Sequence, residues 1–127
     1  MEVKVSMSYV DDEKFEVINS SGNKLLIDMY AQEKKEHLSP MELLLSAVTT
    51  CAAVEIVSMI KKRRRDFKDI KAEASGVRAE TTPNYYKSIA IKYIIYSSDL
   101  TDKEADRFIG LALEKYCSVG SSIRRDT

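Results

Sequence analysis

The sequence predicts an α+β domain covering residues 1–127, with antiparallel sheets packed around a long central helix. Two observations carry that reading. Residues 2–10, EVKVSMSYV, alternate apolar and polar side chains, with Val3, Val5, Met7 and Tyr9 on one face, as a half-buried strand does. Residues 39–62, SPMELLLSAVTTCAAVEIVSMIKK, form the longest apolar-rich run in the chain and read as one helix. Further strands before and after it give the order strands, long helix, strands, helix.

Residues 14–19 (KFEVIN) and 24–30 (KLLIDMY) predict the second and third strands, joined by the turn residues Ser20, Ser21, Gly22 and Asn23. Residues 31–38 are polar and lead into the helix; they carry the only histidine, His37. Ser39, Pro40 and Glu42 have the pattern of a capped helix start. The apolar positions that follow exceed one stripe, so the middle of this helix is expected to be covered on most sides. Lys61 to Arg65 place cations at the negative end of the helix dipole. Residues 70–80 and 87–97 predict two more strands around a turn at residues 81–86. Thr101 and Glu104 predict a second capping box, opening a helix over Thr101–Tyr116. Cys117 then stands at a helix exit, followed by a short polar stretch.

Composition excludes several classes. With 44% hydrophobic and 31% charged residues the chain has the makeup of a globular domain, not of a disordered one. The formal net charge of zero gives no whole-protein argument for nucleic acid or an anionic membrane. Glu42 and Glu55 interrupt the apolar run, so no bilayer span is expected and the protein reads as cytoplasmic. One histidine and two distant cysteines make a poor zinc site, and no Gly-rich phosphate loop is present, so no bound metal or cofactor is expected.

The chemistry-bearing residues are therefore Cys51, inside the central helix, and Cys117. Each is either a small buried hydrophobe or a reactive thiol. A disulfide between them requires Cα atoms within roughly 7 Å. Glu55 lies four residues after Cys51 on the same helix face, where its charge opposes thiolate formation; it reads either as a proton acceptor or as one half of an ion pair with a lysine or arginine of a partner chain.

SPMELLLSAVTTC together with EKYCSVGSSI resembles the OsmC/Ohr family, the osmotically inducible protein C and organic hydroperoxide resistance proteins, in an OsmC-like branch. The resemblance implies an OsmC-like fold in which two chains intertwine as a homodimer. It also implies thiol-dependent reduction of small organic hydroperoxides, with Cys51 peroxidatic, Cys117 resolving, and an external dithiol as reductant. Three positions depart from the pattern. Met41 stands where the peroxidases carry a glutamate, Ser118 where they usually carry a proline, and no arginine precedes Arg63. Glu42 and Glu55 are then the candidate acids, and Lys24, Lys34, Lys35 and His37 the candidate cations, although lysine lacks the planar guanidinium fork. The family's final strand is expected to be short or missing. The alternative reading is a non-peroxidase dimer of this fold that binds a small apolar molecule or senses redox state.

Overall fold

The computed structural model describes all 127 residues, which gather into two compact units, Met1–Leu44 and Leu45–Thr127. In the first unit, β1 (Val5–Asp11), β2 (Lys14–Asn19) and β3 (Lys24–Asp28) form an antiparallel sheet in that order. The register pairs Tyr9 with Phe15 and Phe15 with Ile27. The β2–β3 turn is built by Asn19, whose Oδ1 accepts the N–H groups of Ser21 at 3.0 Å and Asn23 at 2.9 Å. Gly22 takes a φ of 85° there, a conformation that disfavours a Cβ.

β1 corrects an expectation. It is exposed at all seven positions, with Val5 at 68% and Tyr9 at 60%, not half-buried. Alternation marks a face suited to burial, but it does not supply the cover.

Asp28 is the unit's other surprise, a carboxylate with no exposed surface. Lys35 Nζ lies 2.6 Å from its Oδ1, and its Oδ2 accepts the N–H groups of Glu36 at 2.9 Å and His37 at 2.7 Å. Burial pushes its pKa up, but the Lys35 and backbone hydrogen bonds outweigh it and hold the group at about 2. A folded-state pKa below the unfolded value stabilises the fold above about pH 4, and that contribution is lost as pH falls toward about 2. Asp28→Asn is therefore expected to lower the melting temperature at pH 7 by on the order of 10 °C, by leaving Lys35 without its carboxylate. The difference should shrink toward pH 2. Thermal melts of both proteins between pH 2 and 7 check this; a constant gap across that range would contradict it.

α1 (Pro40–Lys62) starts as the sequence predicts. Ser39 Oγ accepts the N–H of Glu42 at 3.2 Å, and Glu42 Oε1 accepts the N–H of Ser39 at 2.9 Å, the reciprocal bonds of a capping box. Its end is less ordinary. Arg64 adopts a φ of 58°, where glycine usually stands, and Arg65 N–H returns to the Ile60 carbonyl at 3.1 Å.

In the second unit, β4 (Asp69–Arg78) and β5 (Tyr86–Tyr96) pair antiparallel along their length. α2 (Asp102–Leu111) opens with the predicted Thr101–Glu104 capping box. The core is one stripe of α1, Val48, Ala52, Ile56 and Ile60, packed with Phe108, Ala112 and Cys117 and flanked by Ile89, Ile91, Tyr93 and Ile95. Complete burial of Ile56 and Ile60 stabilises the fold by about 1.5–3 kcal/mol each.

α1 is buried on this one stripe and not on most sides as expected; Val54 is 62% exposed. By length and composition alone it would also suffice to cross a bilayer, contrary to the expectation drawn from Glu42 and Glu55, since few charges interrupt its apolar run.

The predicted helix over Thr101–Tyr116 is interrupted. α2 stops at Leu111, and Ala112–Tyr116 widen into a π-helical turn closed by Cys117 N–H on the Ala112 carbonyl at 2.7 Å. The polar stretch that follows is not a loop: Ser118–Ser122 form a short helix, α3.

Candidate active site

α1 and the turn into α3 bring the two thiols together. Cys117 is the N-cap of α3; its Sγ accepts the N–H of Gly120 at 3.2 Å and lies 3.9 Å from the Val48 carbonyl oxygen, one turn before Cys51. Cys117 has no exposed surface, whereas Cys51 is half-buried, and both thiols are free.

The surroundings push the two thiols apart in acidity. The N–H of Val119 acts most strongly on Cys51, followed by the Cys117 S–H; both favour the thiolate. Burial opposes them, the N–H of Ser118 assists, and the Glu55 charge opposes, with a net lowering of the Cys51 pKa. Burial pushes the Cys117 thiol up, against the N–H groups of Gly120 and Val119, and its donation to Cys51 raises it further. Cys51 is thus the more acidic of the two thiols and Cys117 the less acidic. Separation of two pKa values by environment is how a site assigns different roles to like groups.

Tyr93 borders the pair. Its hydroxyl donates to the Thr49 carbonyl at 2.7 Å. Burial, with the Cys117 and Cys51 charges, raises its pKa to about 12, so it remains a neutral phenol.

The other sequence candidates fall into place as follows. Glu55 sits beside Cys51 on α1 and makes no ion pair within the chain. Lys35 and Glu42 meet within the first unit, 4.0 Å apart, but both are already committed to the fold, since Lys35 neutralises Asp28 and Glu42 caps α1. His37 contributes its backbone N–H to the same carboxylate, while Lys34, on a 3-10 turn, and Lys24, on β3, are exposed. Lys35 is thereby removed as an uncommitted cation. Sequence reasoning missed Asp28, Tyr93 and the amide donors of Ser118 and Val119. The only local signal for the amides was the small, polar composition after Cys117. No group of three His, Cys, Asp or Glu side chains is placed to hold a metal ion.

Known proteins share this fold. A family profile described as OsmC-like protein matches residues 32–127. Protein YhfA of Escherichia coli K12 is 33% identical over 107 residues, covering 84% of this chain and 78% of YhfA. The crystal structure of a hypothetical protein from Aquifex aeolicus superposes with a TM-score of 0.83 at 30% identity, covering 96% of this chain and 86% of that one. The organic hydroperoxide resistance protein OhrB of Bacillus subtilis shares the fold, with a TM-score of 0.65 at 15% identity over 99% of this chain and 93% of its own. With its antiparallel sheets, long central helix and paired thiols, this chain belongs to the OsmC-like protein family.

Proposed function

We infer that this protein is a thiol-dependent peroxidase that reduces organic hydroperoxides through Cys51 and Cys117. What supports the reading is the pairing of two free thiols, a half-buried Cys51 whose surroundings lower its pKa and a fully buried Cys117 whose burial raises it. The Cys51 thiolate attacks the terminal peroxide oxygen. The O–O bond breaks, an alcohol leaves with one proton from the medium, and Cys51 becomes a sulfenic acid. Cys117 then attacks that sulfur, water departs, and a Cys51–Cys117 disulfide forms. An external dithiol supplies two electrons and two protons to regenerate both thiols. The amides of Val119 and Ser118 supply donors to the nucleophile where Met41 and the missing upstream arginine depart from the hydroperoxidase pattern. The role belongs in a reducing compartment such as the cytoplasm, where free thiols persist.

The working form in this reading is a homodimer. Val3, just before β1, and Val5, Met7 and Tyr9 on it are exposed, and so is Val54 on α1; apolar surface of this kind marks an interface more often than a free monomer face.

The test is intact mass and free-thiol count before and after one equivalent of tert-butyl hydroperoxide, with hydrogen peroxide in parallel. The expected result is rapid loss of both thiols, a mass lower by two hydrogens, and a Cys51–Cys117 peptide. Two thiols still free after long exposure would overturn the peroxidase reading and favour the apolar-ligand alternative.

A further inference from the structure

Residues three and four apart on a helix share a face, with Cβ atoms about 5–6 Å from one another. For Cys51 on α1 these are Ala47, Val48, Val54 and Glu55, and only Glu55 carries a charge. Helical side chains lean toward the N-terminus, so the Glu55 carboxylate leans back over the turn that holds the thiol. Both residues are half-buried. Nothing in the chain neutralises this carboxylate. It makes no ion pair, and its other neighbours three and four residues away, Ala52, Ser58 and Met59, supply no cation. Tyr93, which borders the two thiols, stays a neutral phenol. The peroxide chemistry inferred above gives Glu55 no role. A half-buried, unpaired charge is screened by salt less than a solvated one, and it biases what approaches the atom beside it.

We propose that Glu55 is a charge filter at Cys51: its carboxylate admits neutral and cationic reaction partners to the sulfur and disfavours anionic ones. Resting on Cys51 as the reacting thiol, the filter narrows the substrate class of the peroxidase reading. A neutral alkyl hydroperoxide reaches the sulfur without penalty. A hydroperoxide with a carboxylate close to its O–O bond meets like-charge repulsion, and so does a reducing thiol that bears a carboxylate near its sulfur. The reductant that fits is a dithiol whose sulfurs lie on a neutral or cationic arm. Rejection of a wrong partner by repulsion usually costs the right one something. Here the cost falls on the nucleophile, because the same charge opposes ionisation of Cys51. An acid kept beside a nucleophile that it hinders, with no partner in the chain to hold it, is accounted for by discrimination.

The test uses two methanethiosulfonate reagents of opposite charge, the aminoethyl cation and the sulfonatoethyl anion. The Cys51 thiolate attacks the sulfenyl sulfur of either one, a mixed disulfide forms and methanesulfinate leaves. Rates are followed by intact mass near neutral pH at low and at high salt, and peptide masses place the label on Cys51. The quantity read is the ratio of the cation's rate to the anion's. A change in thiolate fraction alters both rates equally and leaves that ratio fixed. A reagent charge within about 8 Å of a carboxylate gains or loses a factor of about two or more in rate, even at the dielectric constant of bulk water. The two signs move oppositely, so Glu55→Gln is expected to lower the ratio by at least about fivefold at low salt, and by less at high salt. Glutamine keeps the shape of the side chain, and Glu55→Asp, which keeps the charge, should keep most of the ratio. An equal ratio in wild type and Glu55→Gln would overturn the filter, as neutralisation of Glu55 by a cation of a partner chain would produce. So would a Cys51 that neither reagent labels. The same proteins are treated with tert-butyl hydroperoxide in parallel. Oxidation of Cys51 with an unchanged ratio would reject the filter and leave the peroxidase reading standing. A shifted ratio with thiols inert to the hydroperoxide would support the filter and reject the peroxidase reading.

Discussion

Replacing Cys51 with serine is expected to abolish hydroperoxide consumption, lowering the rate by several orders of magnitude, because a hydroxyl at this position is neither ionised nor nucleophilic near neutral pH. Cys117→Ser should behave differently. The Ser hydroxyl can still donate toward the Cys51 sulfur in place of the S–H group. The first turnover should therefore survive, consuming one equivalent of hydroperoxide and then stopping. The product should carry one added oxygen on Cys51 and react with dimedone as a sulfenic acid. Stopped-flow peroxide consumption and intact mass on the two variants decide the matter. Undiminished turnover in Cys51→Ser would remove Cys51 from the mechanism. Multiple turnovers in Cys117→Ser, with an external thiol present, would mean that the reductant resolves the sulfenic acid directly. The variants leave most packing in place, because serine is close in size to cysteine and Cys51 is only half-buried.

What could be read in advance divides by the range of the interaction. The caps at Ser39–Glu42 and Thr101–Glu104 involve residues three apart, and both capping boxes formed as predicted. The strand expected over residues 87–97 forms as β5, and its period of two puts Ile89, Ile91 and Tyr93 together against the core. The meeting of Cys51 and Cys117 was legible only through the resemblance of two separated motifs. Asp28 was invisible. It ends an apolar strand like many solvated acids, and its burial depends on Lys35 and on two amides eight and nine residues later. The π turn before Cys117 and the helix after it were also missed. A run such as Ser118–Val119–Gly120–Ser121–Ser122 has no intrinsic helical preference, and its N-cap is a sulfur, Cys117 Sγ, which accepts the Gly120 N–H. The exposure of β1 and α1 has the same lesson in reverse: periodicity identifies which face favours burial, and the single chain does not supply all the cover.

The amide control of Cys51 leads to the second large effect, on thiol acidity. Val119→Pro removes the N–H that acts most strongly on the Cys51 sulfur while keeping an apolar side chain there. The Cys51 pKa is expected to rise toward, or above, its ordinary value. Each unit of rise lowers the thiolate fraction below the pKa about tenfold. Iodoacetamide alkylation of Cys51, followed from pH 5 to 10, should therefore shift its midpoint upward and slow by about tenfold near pH 7 for one unit. Val119→Ala retains the amide and should titrate like the wild type. Ser118→Pro separates loss of a donor from loss of the helix. Proline suits the first position of α3, and Cys117 already has the extended ψ of 107° that a following proline requires. That variant should keep α3 and show a smaller shift, since the Ser118 amide acts on Cys51 less than the Val119 amide does. The expected order of midpoints is wild type and Val119→Ala lowest, Ser118→Pro intermediate, Val119→Pro highest. Identical midpoints in all four would assign the acidity of Cys51 to something other than these amides. The roles of the two thiols would then have to rest on the buried position of Cys117 alone.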